Sequence, residues 1–160
     1  MMRTERLRLH PATPDDARQL AHGQDGGWTW LGGGPGSGTR DLAGIVERAA
    51  EVGWHRPPWG LYVIVRDSDS VALGGGGFHG PPDHRGSVEV GYELAPEARG
   101  LGYATEALLA LAGFALGHPA VRAVTAATQP DNGASQAVLR RAGFTRGDDL
   151  DGLHRYRLDR

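Results

Sequence analysis

Val88-Glu89-Val90-Gly91-Tyr92-Glu93-Leu94-Ala95-Pro96-Glu97-Ala98-Arg99-Gly100-Leu101-Gly102-Tyr103-Ala104-Thr105-Glu106, continuing into Ala107-Leu108-Leu109-Ala110-Leu111, is the stretch from which the rest of the chain can be read. Apolar residues at 88, 90, 92 and 94 alternate with Glu89, Gly91 and Glu93, which predicts a strand with one buried face. Pro96 has no N–H to give to a ladder and ends it. Arg99 to Ala104 is a glycine-rich turn, and Thr105 onward is an apolar helix. A strand, a tight glycine turn and a new helix N-terminus form a site for phosphate. The first-turn N–H groups lack partners, the helix dipole is positive there, and glycines let an anion approach the backbone.

Two common phosphate loops do not fit. The G-x-x-x-x-G-K-[ST] loop is excluded because the chain has no lysine. The dinucleotide loop G-x-G-x-x-G is nearly met from Gly100, but its last place holds Thr105, and the next strand, ending Thr125-Ala126-Ala127-Thr128-Gln129, lacks the acid that fold requires. A nucleotide-binding oxidoreductase is therefore disfavoured. The remaining pattern, [QR]-x-x-G-x-[GA], is met by Arg99, Gly102 and Ala104.

A length of 160 residues fits one domain, 1–160, with a substantial core. Apolar content of 39% with 22% charged residues is that of an ordinary globular protein. A formal charge of -2 without a basic stripe argues against nucleic acid. The absence of cysteine excludes disulfides, thiolate nucleophiles and Cys-ligated metals, and the scattered histidines lack ligand spacing, so no metal is expected. No apolar run approaches a membrane span and Met-Met-Arg-Thr-Glu-Arg is not a signal peptide, so a cytoplasmic location is the expectation.

Arg6 to His10 alternates as a first strand, and Thr13-Pro14-Asp15-Asp16 opens a helix that stops near Gly23. Asp25 to Thr39 is glycine-rich, carries Trp28 and Trp30, and reads as a mobile loop. Arg40 to Val52 is a second amphipathic helix. Strands follow over Trp59 to Val65 and from Val71 to Gly80, the latter through Gly74 to Gly77. Four consecutive glycines in a strand point to a bulge or a close backbone contact. Strand 88–94, helix 103–116 and strand 121–127 form a βαβ unit whose strands should be parallel. Asn132 caps a last helix that ends before Gly143, and strands 144–146 and 153–158 close the chain.

The loop Arg99-x-x-Gly102-x-Ala104 resembles the acetyl-coenzyme A loop of the GNAT acetyltransferase superfamily. The order β-α-α-β-β-β-α-β-α-β-β matches that family over nearly the whole chain. Thr4-Glu5-Arg6-Leu7-Arg8-Leu9, Glu89-Val90-Gly91-Tyr92, Gly102-Tyr103-Ala104-Thr105-Glu106-Ala107, Asn132-x-x-Ser135 and Gly143-Phe144 are similar to its RimJ/RimL-like branch. The resemblance implies a mixed α/β, α+β fold: a twisted, mostly antiparallel sheet of seven strands flanked by four helices, with a parallel, splayed strand pair at the acetyl-CoA site. It also implies an acetyl-CoA-dependent N-acetyltransferase whose acceptor is a small-molecule amine or a peptide N-terminus. The diphosphate would rest on Arg99, Gly100, Leu101, Gly102, Tyr103, Ala104 and Thr105. Pantetheine would pair near Leu94 and Ala95, and Asn132 and Ser135 would face the coenzyme.

An alkyl ammonium of pKa about 10.4 must lose a proton before it attacks a thioester, whereas an α-amine near about 8 is already partly neutral. Glu89 is the first candidate for the base, with Glu93 and His79 as rivals. Family members often carry a tyrosine on the last helix, four residues before Gly-Phe, as the acid. Leu139 stands there, so Ser135 or water would substitute, and a thiol of pKa about 8.5 leaves tolerably without help. Leu139 also keeps open the alternative of a non-catalytic acyl-CoA-binding module. Trp28, Trp30, Trp54, Trp59, Phe78 and His79 are candidates for an aromatic acceptor pocket, each with the alternative of a core or loop anchor. Exposed edge strands are compatible with a homodimer.

Overall fold

The computed structural model describes residues 1–160. Its elements in chain order are β1 (Met2–Arg3), β2 (Leu7–Pro11), α1 (Pro14–Ala21), β3 (Thr29–Trp30), α2 (Ser37–Glu51), β4 (Leu61–Arg66), β5 (Val71–Phe78) and β6 (Ser87–Leu94). They continue with α3 (Tyr103–Leu116), β7 (Ala123–Thr128), α4 (Gly133–Arg141), β8 (Thr145–Arg146) and β9 (His154–Asp159). One nine-stranded sheet runs β1-β2-β4-β5-β6-β7-β9-β8, with β3 attached beside β5. Pairing is antiparallel except for β6 with β7, as the βαβ reading expects, and for β3 with β5. The seven expected strands are present, and β1 and β3 are two-residue additions. No helix is long and apolar enough to cross a membrane.

The sheet is covered on both faces, and β4 shows why. Leu61, Val63 and Val65 join Leu20, Leu42 and Val46 in a core beneath α1 and α2. Tyr62 and Ile64 turn the other way, to Leu73, Phe78, Leu108 and Leu111 beneath α3. A strand buried on both faces reads as a continuous apolar run instead of an alternation, which is how 61–65 appears in the sequence.

The glycines of β5 are there because neighbouring backbones approach closely. A Cβ on Gly74 would overlap the Glu93 carbonyl, and one on Gly75 would lie 2.7 Å from Thr39. The register also shifts between Ile64 and Val65, leaving a bulge at Leu73. β5 therefore packs tightly between β4, β6 and α2.

The segment 25–39 is more ordered than its composition suggests. β3 pairs with β5, Trp30 is buried, and its Nε1 donates to the Asp25 carbonyl at 2.8 Å. The second helix begins at Ser37, earlier than its periodicity predicts. Its N-cap Gly36 supplies no side chain, and the cap comes from another element: the Glu93 carboxylate accepts from the N–H of Gly38 at 2.6 Å and of Thr39 at 3.4 Å. A carboxylate at that end also favours the helix dipole.

The N-terminal segment is tied to the start of α3. Glu106 accepts from the Thr4 hydroxyl, from the Arg6 N–H at 2.7 Å and from Arg6 Nε at 2.8 Å. Burial alone would raise the Glu106 carboxyl, but these bonds outweigh it and hold it below its ordinary value. A carboxyl depressed on folding contributes stability that is present above its unfolded pKa and lost as pH falls toward the folded one. Glu106→Ala should therefore lower the unfolding free energy by about 2 kcal/mol at neutral pH, measured by urea titration. The difference from the parent should shrink below about pH 4.3. Gly74→Ala should cost about 2–3 kcal/mol by overpacking. Gly80→Ala, where a Cβ meets nothing within 4 Å, should be near neutral in the same assay.

Candidate active site

Between Arg99 and α3 the backbone leaves a row of donors unused. The N–H groups of Gly100, Leu101, Gly102, Tyr103, Ala104 and Thr105 make no hydrogen bond within the chain; the first amide of this helix to find an acceptor is Glu106, on the Gly102 carbonyl at 3.1 Å. Gly100 and Gly102 have φ of +76° and +83°, a left-handed geometry that side chains strain to adopt. The Gly100 Cβ position is open space, so that glycine is needed for its dihedral and not for room.

Arg6 fixes the loop from behind. Its Nη1 donates to the Leu101 carbonyl at 3.0 Å, and its guanidinium lies 4.3 Å from the centre of the Tyr103 ring. Across a trans peptide the N–H points opposite to the C=O, so the Gly102 N–H is aimed away from Arg6.

The cleft in front of these amides has a volume of about 590 Å³. Gly100, Gly102, Ala104 and Thr105 line it from the loop, and Asn132, Ala134, Ser135, Ala137, Val138 and Arg141 from α4. Its floor is the end of β6, at Tyr92, Glu93 and Leu94, beyond the point where β7 has diverged. The two strands pair only from Ser87 to Glu89, leaving a gap beyond. The Glu89 carbonyl and the Ala95 N–H both bond to β5 or its extension, so by alternation the N–H and C=O of Val90, Tyr92 and Leu94 face the gap. Arg99 Nε takes the Leu94 carbonyl at 3.2 Å, which makes that side chain a brace for the turn. The cleft thus offers convergent amides for an anion and a free strand edge for an extended amide-bearing chain, the two features a pantetheine diphosphate requires.

A second cavity, of about 320 Å³, adjoins the first, and Gly38, Tyr92 and Ser135 border both. One face of α2 roofs it: Gly38, Asp41, Leu42 and Ile45 fall at helical spacings i, i+3, i+4 and i+7. His79, Val90, Gly91, Ala126 and Leu139 complete most of the wall. Neither Arg nor Lys lines this cavity, and Asp41 has no ion-pair partner.

Two polar pairs meet at these cavities. His79 Nδ1 is 2.7 Å from Glu89 Oε2, and the other Glu89 oxygen is 3.8 Å from Arg155. The His79 hydrogen bond, opposed by burial and aided by Arg155, holds the Glu89 carboxyl below the usual range. With Nδ1 spent on Glu89, the lone pair left on His79 is at Nε2, over Gly91, where an added Cβ would sit 3.0 Å away. The second pair is Tyr92 and Ser135, hydroxyl to hydroxyl at 3.0 Å. Burial pushes the Tyr92 phenol up by more than the Ser135 bond lowers it, so it stays protonated near neutral pH. Ser135 is itself fixed, its N–H donating to the Asn132 cap at 3.0 Å.

The structure redistributes several residues expected at the acceptor site. Phe78 is fully buried, edge-on to Trp59 at 5.2 Å, and Trp30 is 8% exposed beneath α2; both are core residues because their strands direct them inward. Trp28 packs against the same core, and Trp54 is 71% exposed and borders neither cavity. Glu93 is engaged as the cap of α2, which removes it as a free base. The Ala95 N–H is spent on Leu73, so pantetheine cannot pair with it. Of the proposed acceptor residues only His79 lines the second cavity. Sequence reasoning missed Asp41, Tyr92 and Arg141. The first is signalled by the i, i+3, i+4, i+7 face of α2, while Tyr92 is hidden within an apolar alternation.

Comparison with known proteins gives the family and the fold. The family model described as acetyltransferase (GNAT) domain matches residues 6–145. The uncharacterized N-acetyltransferase YjdG of Bacillus subtilis (strain 168) is 36% identical over 83 residues, 52% of this chain and 49% of the relative, so the match spans about half of that protein. An acetyltransferase structure from Agrobacterium tumefaciens superposes with a TM-score of 0.68 at 26% identity, covering 99% of this chain and 94% of the other. RimL, a ribosomal L7/L12 α-N-protein acetyltransferase solved with coenzyme A, gives 0.68 at 17% identity, covering 98% and 95%, and shares the fold. With its diverging parallel strands, its row of free amides before α3 and a family match over most of its length, this chain belongs to the GNAT acetyltransferase family.

Proposed function

We propose that the chain is an acetyl-CoA-dependent N-acetyltransferase acting on a primary amine, either a small molecule or a peptide N-terminus. The observation that carries this reading is the set of unpaired amides from Gly100 to Thr105, opening on a cleft that leads past Ser135 into a second cavity containing His79. Acetyl-CoA supplies the activated acyl group as co-substrate. The loop amides hold its diphosphate, the free edge at Val90 and Tyr92 holds its amide-bearing arm, and Arg99 and Arg6 keep the loop in shape.

The acceptor enters the second cavity as an ammonium and must give up a proton before attack. His79 Nε2 receives that proton, while Glu89 holds the ring in the required tautomer and stabilises the imidazolium that forms. This assigns Glu89 an orienting role, in keeping with its depressed carboxyl, a weaker base than an ordinary one. The neutral nitrogen attacks the acetyl carbon, a C–N bond forms, the C–S bond breaks, and the surplus proton shed by the nitrogen restores, through water, the one passed to the sulfur. The leaving sulfur needs a donor nearby. Tyr92, kept protonated, donates to Ser135 Oγ, which frees the Ser135 O–H to point at the sulfur. A strand residue thereby assists the departure that many relatives assist from the last helix, where Leu139 is buried.

The lining of the acceptor cavity narrows the class of amine. Without Arg or Lys in its wall, and with the unpaired Asp41 carboxylate at its edge, it disfavours an acceptor whose own carboxylate lies beside the amine. Leu42, Ile45, Val90 and Leu139 suit an apolar body.

Thiol release from acetyl-CoA in the presence of an amine panel tests the reading. Turnover with amines but not without them is expected; coenzyme binding without turnover on any amine would favour the binding module. In that assay His79→Gln should lower kcat with an alkyl amine by about 10²–10⁴-fold at neutral pH, with the deficit narrowing at alkaline pH, where the amine is already neutral. A flat ratio across pH would remove His79 as the base. Simple alkyl or aralkyl amines should exceed free amino acids of similar size in kcat/KM by about tenfold or more, and the reverse order would overturn the acceptor assignment.

A further inference from the structure

The two cations on the wall of the coenzyme cleft are Arg99 and Arg141, and they are engaged differently. Arg99 is turned back onto the Leu94 carbonyl. Arg141 closes the cleft-facing stripe of α4, Ala134, Ala137, Val138 and Arg141, at spacings i, i+3, i+4 and i+7. Arg18, Arg66, Arg146 and Arg157 are each ion-paired within the chain, whereas Arg141 has no such partner. It is a fixed positive charge in the wall of an anion cleft that nothing in the protein neutralises.

Coenzyme A carries two kinds of phosphate. The diphosphate, with its singly charged diester groups, matches the Gly100–Thr105 amides, which are numerous and close to the axis of α3. The ribose 3′-phosphate is a monoester with a charge of about −1.5 to −2 at neutral pH and three free oxygens. The other helix N-terminus on the cleft, that of α4, whose Gly133 and Ala134 N–H groups are also free, lies at the Ser135 end and away from Arg141. Arg141 stands at the C-terminal end of α4, about 9 Å along the helix axis from Ser135. Backbone dipoles there are negative, so only a side-chain cation can hold an anion. A planar guanidinium presents a fork of N–H donors that fits a terminal phosphate.

We infer that Arg141 is the subsite for the 3′-phosphomonoester of the coenzyme, and that it makes this protein select 3′-phosphorylated coenzyme A over its dephosphorylated form. The inference rests on the coenzyme reading of the cleft and adds to it the residue that distinguishes the two cofactors.

Isothermal titration of the full chain with coenzyme A and with 3′-dephospho-coenzyme A tests it without reference to turnover. The parent should bind coenzyme A more tightly by about tenfold, the weight of one charge-assisted hydrogen bond at a solvent-facing site. Arg141→Gln should lose that margin by weakening coenzyme A alone, bringing the affinity ratio close to one. Arg140→Gln, its neighbour in the last turn of α4 and outside the cleft, should keep the parent ratio and controls for loss of helix-dipole complementarity. Equal weakening of both ligands by Arg141→Gln would move Arg141 to the diphosphate and overturn the inference, as would an unchanged ratio. If the parent binds neither ligand, the coenzyme reading itself falls, which is a separate outcome.

Discussion

The N–H groups before α3 stay free because the chain enters that helix through two left-handed residues while Arg6 holds the carbonyl side. Donors without acceptors are costly when buried and are tolerable here because they face an open cleft. The loop is therefore preorganised by residues packed behind it. Glu106 orders Arg6, Arg6 orients the Leu101 peptide, and the peptide sets the direction of the donors. The N-terminal residues Thr4 and Arg6, about a hundred positions away in sequence, thus support the loop of the proposed coenzyme site.

β6 carries most of the remaining chemistry by alternation. Residues on one face, Val88, Val90 and Leu94, are anchored in the core beneath α3, with Tyr92 between them reaching Ser135. On the other face Glu89 meets His79 and Glu93 meets α2. The strand supports the two pairs proposed for proton handling and holds the helix that roofs the second cavity. The gap opened by β7 gives both cavities access to the same strand.

How much of this the sequence discloses depends on the range of the interaction involved. Strands, helices and caps are set by neighbours within a few residues, so Thr13, Asn132 and Gly143 mark boundaries that the structure retains. The glycine run at 74–77 signals a close approach, but not the identity of its partners, Glu93 for Gly74, Thr39 for Gly75 and Gly60 for Gly77. Contacts across the fold leave no local trace. Glu93 as a cap lies 55 residues from Gly38, and a carboxylate on a strand looks the same whether it caps a helix or takes a proton. Aromatic residues are ambiguous for a related reason. Trp30 and Phe78 have the composition of a pocket, and only the direction of their strands reveals that they fill the core. Tyr92 is the converse case, an apparent core residue whose hydroxyl emerges at the site.

The bond between Glu93 and the first turn of α2 has one more consequence. Together with the contact of Thr39 on Gly75, it clamps the roof of the proposed acceptor cavity to the central strands, so the two proposed sites are joined by a short strut instead of by a hinge. Replacement of Ile45 would then remodel the room in the proposed acceptor cavity, whereas Leu42 also serves the core beneath α1 and α2. On the proposed reading, diversification toward new amines has a route through one helical face, with the strut preserved.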